Sequence, residues 1–142
     1  MQNRHSRNRR AGFTLVELLV VMVILGLLAS IVLPNFFGQA RKARVKTARV
    51  QISTLETALD AFALDTGRYP TTEEGLQALV ERPPNAKSWD GPYLKKSVPL
   101  DPWGNPYHYE GPTEGSSYVL KSYGADGAPG GTDDAADIPE DR

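Results

Sequence analysis

An uninterrupted block of apolar residues occupies positions 13–33 and contains a single charged residue, Glu17. As an α-helix this block would be about 31 Å long at about 1.5 Å per residue, enough to cross the hydrocarbon core of a membrane. A carboxylate inside lipid costs roughly 2.5–3.5 kcal/mol on insertion scales. Glu17 is therefore expected either to face a partner or to lie near the helix end, and its position alone leaves both interpretations open.

A second helical pattern follows and is predicted to run through residue 66. Pro34 and Gly38 lie between the two patterns and leave open whether residues 34–38 kink the helix or melt. The basic side chains of this second segment, including Arg41, are interpreted as a solvated face rather than as lipid contacts. Apolar residues at alternating spacings of three and four predict one buried stripe: Val45, Ala48, Ile52, Leu55, Leu59 and Phe62.

Residues 67–142 are predicted to form a small head against which this stripe packs. Gly67 is well placed to end the helix, since glycine is common just after a helix C-terminus. Thr71 and Glu74 have the spacing of a capping box, which predicts a short helix through about Val80.

The second half of the head is predicted to be a loop followed by a hairpin. Six prolines within residues 83–106 predict an extended loop. Residues 107–110 and 118–123 alternate and are rich in aromatic and β-branched side chains, so they predict two antiparallel strands. The loop is expected to be held in place by three aromatic side chains, Trp89, Tyr93 and Trp103.

The composition excludes several classes of chemistry. The 142 residues contain no cysteine, which excludes a disulfide, a thiol nucleophile and an iron–sulfur site. His108 alternates within a predicted strand and is interpreted as a surface residue rather than a general base. No serine or lysine lies in a recognisable nucleophile motif, and there is no P-loop. We therefore predict that the chain is not an enzyme.

The charge is distributed unevenly between the two ends. Residues 1–12 carry +4 and residues 13–142 carry −5. A basic segment before an apolar helix is expected to remain in the cytoplasm, which places the residues after the helix outside. No aromatic residue or second basic cluster accompanies the arginines, so nucleic acid is not an expected partner. A secretory signal peptide is the alternative, but its apolar region would be about 7–15 residues long with a cleavage site after it.

The junction between the polar leader and the apolar block resembles the type IV prepilin signal. The residues that carry the resemblance are Gly12-Phe13-Thr14-Leu15-Val16-Glu17. In that family a membrane peptidase cuts after the glycine and methylates the new terminus, which implies cleavage between Gly12 and Phe13 and N-methylation of Phe13. The resemblance also implies that Glu17 pairs with the terminal amine of a neighbouring subunit. Such pairing is physically reasonable, because two buried charges are tolerated together and costly apart.

Four further segments narrow the resemblance to the major pseudopilins of bacterial type II secretion. They are residues 69–80, 91–96, 101–107 and 122–127, in the family's order. This resemblance implies a type IV pilin-like α+β fold, in which a long N-terminal helix packs on a small head with a short antiparallel sheet. It divides the chain into a leader (1–12), a hydrophobic helix segment (13–34), an amphipathic continuation (35–66) and a periplasmic head (67–142).

The C-terminal segment is rich in acidic residues and glycine. By composition alone it is best interpreted as a solvated, frayed tail, although carboxylates among glycines also suit Ca²⁺. The resemblance favours calcium, because major pseudopilins bind one Ca²⁺ in the corresponding loop, residues 123–137. The implied ligands are the side chains of Asp126, Asp133 and Asp134 and the carbonyls of Tyr123 and Ala128, with Asp137 as a fourth candidate acid.

The resemblance also implies the partners and the location. The chain is expected to be a single-pass protein of the bacterial inner membrane that assembles into a helical homo-oligomeric filament, the pseudopilus, with its head in the periplasm. The implied partners are minor pseudopilins, the prepilin peptidase and an inner-membrane assembly platform. The alternatives are a type IV pilus subunit and a monomeric membrane-anchored calcium-binding module.

Overall fold

The computed structural model describes residues 12–114 and 116–139. They form one long helix, α1 (Leu15–Thr66), and a two-stranded antiparallel sheet of β1 (His108–Glu110) and β2 (Val119–Lys121). Short 3-10 helices occur at Leu76–Leu79, Gly124–Asp126 and Asp133–Ala135. The predicted α+β class is confirmed. The predicted leader, apart from Gly12, lies outside the described residues.

The chain divides into two compact units between Gln39 and Ala40. The N-terminal unit contains the first part of α1. The C-terminal unit contains the rest of the helix, the sheet and every buried apolar side chain among the described residues. Residues 34–38 are helical, because α1 is continuous through Pro34. A proline inside a helix removes one backbone hydrogen bond and crowds the preceding turn, but residues 34–38 stay helical here.

The predicted apolar stripe of α1 forms the core of the C-terminal unit. Ala48, Leu55, Leu59 and Phe62 are completely buried, and Val45 packs at the edge of the cluster. They share this cluster with side chains from the rest of the unit, including Leu79, Tyr107, Tyr109, Leu120 and Ile138. Burial of these residues confirms the predicted helix face. Spacings of three and four residues place their side chains on one side of the helix.

The segment that follows α1 differs in part from the prediction. The capping box is confirmed: the Thr71 amide donates to Glu74 Oε2 (2.9 Å), and the Glu74 amide donates to Thr71 Oγ1 (3.2 Å). The predicted helix through Val80 is wrong, since only a four-residue 3-10 helix forms at Leu76–Leu79. Gly75 explains the difference, because its φ of 59° lies in the left-handed region and interrupts a right-handed helix.

The loop and hairpin agree with their predictions. Trp89 Nε1 donates to the Ala78 carbonyl (2.9 Å), and Trp89, Tyr93 and Trp103 all pack against the core. In the sheet, Tyr109 lies opposite Leu120, and both side chains are buried. The strands are shorter than predicted, at three residues each.

Two tyrosines connect the hairpin to earlier parts of the chain. The Tyr107 hydroxyl donates to Gln51 Oε1 on α1 (2.6 Å), and the Tyr109 hydroxyl donates to the Pro70 carbonyl (2.8 Å). Burial raises the pKa of Tyr107 to about 12, so its hydroxyl keeps its proton at neutral pH. These bonds fix the hairpin, from which the acidic loop emerges.

Candidate functional site

The first candidate site is the start of α1. Gly12, Phe13 and Thr14 precede the helix, and the Phe13 side chain is exposed. Glu17 Oε2 accepts a hydrogen bond from the Thr14 amide (3.1 Å), and Thr14 Oγ1 accepts one from the Glu17 amide (3.2 Å). These reciprocal bonds form a capping box at the helix N-terminus. Within one subunit, Glu17 is therefore bonded to its own chain.

The helix surface that follows is apolar and uncovered. All described residues from 12 to 34 are exposed, and they include leucine, valine and isoleucine side chains along the whole segment. By length and composition, α1 qualifies as a membrane-spanning helix. An apolar surface of this extent requires lipid or other helices around it.

The second candidate site is the acidic loop, residues 123–137, whose two ends are joined by backbone hydrogen bonds. The Ser122 amide donates to the Ile138 carbonyl, and the Ile138 amide donates to the Ser122 carbonyl, both at 2.8 Å. Ser122 and Ile138 are buried. The loop thus begins and ends at the core, and it is not a frayed tail.

A buried carboxylate, Asp101, organises the base of the loop. Its Oδ1 accepts hydrogen bonds from the amides of Trp103 (3.0 Å) and Asn105 (2.8 Å), and its Oδ2 accepts one from the Ser122 hydroxyl (2.6 Å). The network then continues into the loop. The Gly124 amide donates to Ser122 Oγ (3.1 Å), and Asn105 Nδ2 donates to the Gly124 carbonyl (2.8 Å). The side chains of Asp101 and Asn105 therefore connect residues 101–105 to Ser122, at the end of the hairpin, and to Gly124 of the loop.

The acidic side chains predicted as ligands lie at different points of this loop. Asp126 Oδ1 accepts a hydrogen bond from the Ala128 amide (3.1 Å), and Asp137 Oδ1 accepts one from the Gly130 amide (2.9 Å). Asp133 Oδ1 accepts one from Arg41 Nη1 on α1 (2.6 Å). Across residues 12–114 and 116–139, no three acidic or histidine side chains are close enough together to share a metal ion. The arrangement thus brings the predicted residues to one loop without gathering their carboxylates at one point.

Asp134 is the member of the set with an unsatisfied atom. Its Oδ1 is buried and accepts no hydrogen bond, and Arg41 Nε lies 3.8 Å away, beyond hydrogen-bonding distance. The Asp134 side chain as a whole is 46% exposed, so only this one oxygen is shielded from water, and a bound cation would supply the contact that it lacks. Neutral backbone oxygens, which Ca²⁺ also accepts, can supply the remainder of a coordination shell. The unsatisfied Asp134 oxygen is thus the feature of the loop from which a cation site can be proposed.

Two backbone features keep the loop closely folded around Asp134. Gly124 packs against the Asp134 carbonyl so closely that a Cβ atom there would lie 2.6 Å from it. Asp133 has a φ of 58°, a left-handed conformation that aspartate tolerates better than most residues. Tyr123, whose carbonyl is a predicted ligand, stacks its ring on His108 with the ring centroids 4.8 Å apart.

Comparison with known families agrees with this fold. A family profile described as "Type II secretion system (T2SS), protein G" matches residues 35–141, more than half of the chain. The chain belongs to the type II secretion system protein G family. A second profile, "Prokaryotic N-terminal methylation motif", matches residues 7–33.

The relatives of this family member span nearly all of its length. A protein of Pseudomonas aeruginosa named "Type II secretion system core protein G" is 47% identical over 137 residues, covering 93% of this chain and 95% of the relative. A protein of the same name from Aeromonas hydrophila is 48% identical over 132 residues, covering 90% of this chain and 92% of the relative.

A solved structure gives the same result. The major pseudopilin from the type 2 secretion system of enterohaemorrhagic Escherichia coli superimposes with a TM-score of 0.61 and 39% identity, covering 74% of this chain and 92% of that one. The predicted family and pilin-like fold are thus confirmed, and so is the prediction that the chain is a pseudopilus structural subunit. The family is a structural one, and these matches favour type II secretion over the alternative of a type IV pilus subunit.

Three contributions to these sites were missed in the sequence. Thr14 and Glu17 have the capping-box spacing that identified Thr71 and Glu74, and the same rule applied at residue 14 would have found it. Asp101, followed by proline and by asparagine four residues later, carries a local turn signal. The contact between Arg41 and Asp133 has no local signal, because 92 positions separate the two residues.

Proposed function

We propose that this pseudopilin is processed at Gly12, resides in the bacterial inner membrane and packs by residues 13–33 into a helical filament in the periplasm. The filament acts as a piston or screw that pushes folded substrates through an outer-membrane channel, with energy from a cytoplasmic ATPase. The observation that carries this proposal is the continuous exposed apolar surface of the first part of α1, in a chain whose C-terminal unit has its own core. The proposed partners are other copies of this chain, minor pseudopilins, the prepilin peptidase and the assembly platform.

Glu17 is proposed to contribute its charge to filament assembly. In the structure its carboxylate accepts a hydrogen bond from the Thr14 amide of its own subunit. During assembly the carboxylate would therefore either leave that amide or bind the methylated amine of a neighbouring subunit in addition to it. The two roles make different demands on the side chain. Capping needs only an acceptor oxygen, which glutamine also provides, whereas pairing with an amine needs the negative charge.

We expect Glu17→Gln and Glu17→Ala to insert into the membrane normally and to lower the filament yield at least about tenfold. Insertion should not suffer, because each substitution removes a charge from an apolar helix. A tenfold loss corresponds to about 1.4 kcal/mol, which is below the roughly 3–5 kcal/mol that breaking a buried ion pair costs, so tenfold is a lower bound. The measurement is electron microscopy with sheared-filament blots of cells that overproduce the protein.

The glutamine variant separates the two roles. Normal filaments from Glu17→Gln with few from Glu17→Ala would assign Glu17 to capping alone, and normal filaments from both would exclude any assembly role. Thr14→Ala is the matched control, since it disrupts the same capping box without altering the charge. If the wild-type chain formed no filament at all, the alternative of a monomeric anchored module would be favoured.

We further propose that residues 123–137 bind one Ca²⁺. The proposed ligands are Asp126, Asp133 and Asp134 with the carbonyls of Tyr123 and Ala128, and Asp137 is a further acid within the loop. The unsatisfied buried oxygen of Asp134 and the closed base of the loop support this proposal. A bound cation would neutralise like charges that otherwise repel within a small loop.

Calcium is expected to raise the melting temperature of the full-length protein in detergent micelles by roughly 10 °C. A ligand that binds only the folded state adds about 2.7 kcal/mol at a hundredfold excess over its dissociation constant, and a domain of this size gains several degrees per kcal/mol. The measurement is tryptophan fluorescence during heating, in calcium and in a chelator. Asp126→Ala should remove most of the response and Asp134→Ala much of it.

Asp90→Ala provides the matched control, because Asp90 is exposed and outside the loop. It should leave the calcium response unchanged. Equal melting temperatures in calcium and chelator for the wild-type protein would contradict the calcium site, and the loop would then be a structural excursion only.

A further inference from the structure

Arg41 is a basic residue of α1 that contacts the acidic loop. It lies on α1 within the C-terminal unit, and its Nη1 donates to Asp133 Oδ1 at 2.6 Å. Its Nε lies 3.8 Å from Asp134 Oδ1. The guanidinium therefore faces two adjacent carboxylates of the loop at once. This basic residue was interpreted from the sequence as part of a solvated helix face, and the structure gives it a defined partner.

The pairing satisfies the two acids unequally. Asp133 gains a short charge-assisted hydrogen bond, although its side chain remains 75% exposed. Asp134 Oδ1 is buried, and the distance to Arg41 Nε is too long for a hydrogen bond, so it gains only electrostatic attraction. The arginine thus offsets the negative charge of the loop while leaving one buried oxygen without a donor.

A guanidinium and a metal ion use the same lone pairs of a carboxylate. Asp133 and Asp134 both belong to the proposed calcium ligands, so Arg41 occupies acceptor oxygens that a cation would need. A divalent ion and a guanidinium a few ångströms apart would also repel each other. The two cations are therefore expected to exclude one another from this pair of carboxylates.

We propose that Arg41 is an intramolecular competitor of Ca²⁺, which neutralises Asp133 and Asp134 in the calcium-free pseudopilin and is displaced when calcium binds. This inference rests on the proposed calcium site and adds a residue outside the loop that sets its affinity. Arg41 lies on the helix, so occupancy of the loop determines whether this helix residue is tied to residues 133 and 134 or is released.

The test compares two single charge removals on neighbouring helix positions. Arg41→Gln removes the competitor, whereas Lys42→Gln removes the same charge from an adjacent exposed residue. Calcium affinity is measured by isothermal titration of the full-length proteins in detergent micelles. Exposed ion pairs contribute up to about 1 kcal/mol, so Arg41→Gln should tighten calcium binding by up to about fivefold. Lys42→Gln should change the affinity by less than about twofold, because salt screens a charge that makes no direct contact.

A second measurement follows the ion pair without calcium. In chelator, Arg41→Gln should melt at a lower temperature than Lys42→Gln, and the difference should disappear at saturating calcium. Arg41→Lys keeps a positive charge that can reach Asp133 but loses the several N–H donors of the planar guanidinium. The calcium affinity of this variant should therefore lie between those of wild type and Arg41→Gln. Arg41→Lys also provides a folded variant if the glutamine substitution disrupts the helix.

The outcomes separate this proposal from the calcium site itself. Unchanged or weaker binding by Arg41→Gln, with a normal wild-type response, would overturn the competition and leave the calcium site standing. Equal tightening by Arg41→Gln and Lys42→Gln would assign the effect to overall charge and would also overturn it. Binding by neither wild type nor Arg41→Gln would remove both proposals, whereas binding by Arg41→Gln alone would support competition strong enough to mask the site.

Discussion

Replacing Asp101 with alanine is expected to lower the melting temperature of the C-terminal unit by at least about 10 °C. The carboxylate accepts three hydrogen bonds, from the amides of Trp103 and Asn105 and from the hydroxyl of Ser122. Each buried donor left without an acceptor costs about 1–3 kcal/mol, so the expected loss in the free energy of unfolding is about 3–5 kcal/mol. Thermal unfolding of the full-length protein in detergent, followed by tryptophan fluorescence, measures this loss.

The matched variants identify the cause of this loss. Asp101→Asn keeps one acceptor oxygen of similar shape, so its melting temperature should lie between those of wild type and Asp101→Ala. Asp90→Ala removes an exposed carboxylate and should melt within about 2 °C of wild type. A melting temperature for Asp101→Ala close to that of Asp90→Ala would show that the network at the base of the loop does not stabilise the unit.

Replacing Gly12 with valine is expected to abolish processing, so that the precursor with residues 1–12 still attached accumulates in the membrane. The family's peptidase cuts after a glycine, and a branched side chain at that position would obstruct the scissile bond. The structure indicates that the substitution leaves the fold intact. A Cβ atom at Gly12 would meet no atom within 4 Å, and its φ lies outside the left-handed region. Mass spectrometry of membrane fractions measures the mature N-terminus, predicted to be N-methylated Phe13.

Gly26 offers the control for this experiment. It lies in the same apolar segment, and an added Cβ would also meet nothing within 4 Å. Gly26→Val should therefore be processed normally. Finding Met1 at the terminus of the wild-type protein, in cells that contain the peptidase, would contradict the predicted cleavage site, as would normal cleavage of Gly12→Val.

The features that the sequence predicted correctly depend on periodic patterns. The stripe from Val45 to Phe62 was recognisable because helix geometry repeats every 3.6 residues, and burial of that stripe confirms it. The hairpin was recognisable from the alternation of side-chain types along each strand, although both strands were predicted to be longer than they are. The helix after Thr71 was predicted wrongly, because a capping box fixes the first turn only and Gly75 then changes the backbone direction.

The candidate sites were less predictable because their geometry depends on tertiary contacts. Composition alone favoured a frayed tail for residues 123–137, since it does not reveal the pairing of Ser122 with Ile138. The acids of the loop were identified by resemblance, but their separation within it was not. Asp133 is held by an arginine from the helix, a contact that neither residue's neighbours in the sequence indicate.

The closure of the acidic loop by Ser122 and Ile138 has an evolutionary consequence. Both ends of the loop are held by the core, so changes between them that preserve the contacts of Gly124 and Asp133 leave the hairpin and helix packing in place. Doubling the length of a flexible loop with fixed ends costs only about 0.6 kcal/mol. Insertions at exposed positions such as residues 128–130 can therefore accumulate at little expense to the fold. Related pseudopilins can thereby diverge in the length and composition of this loop while α1 and the core stay unchanged.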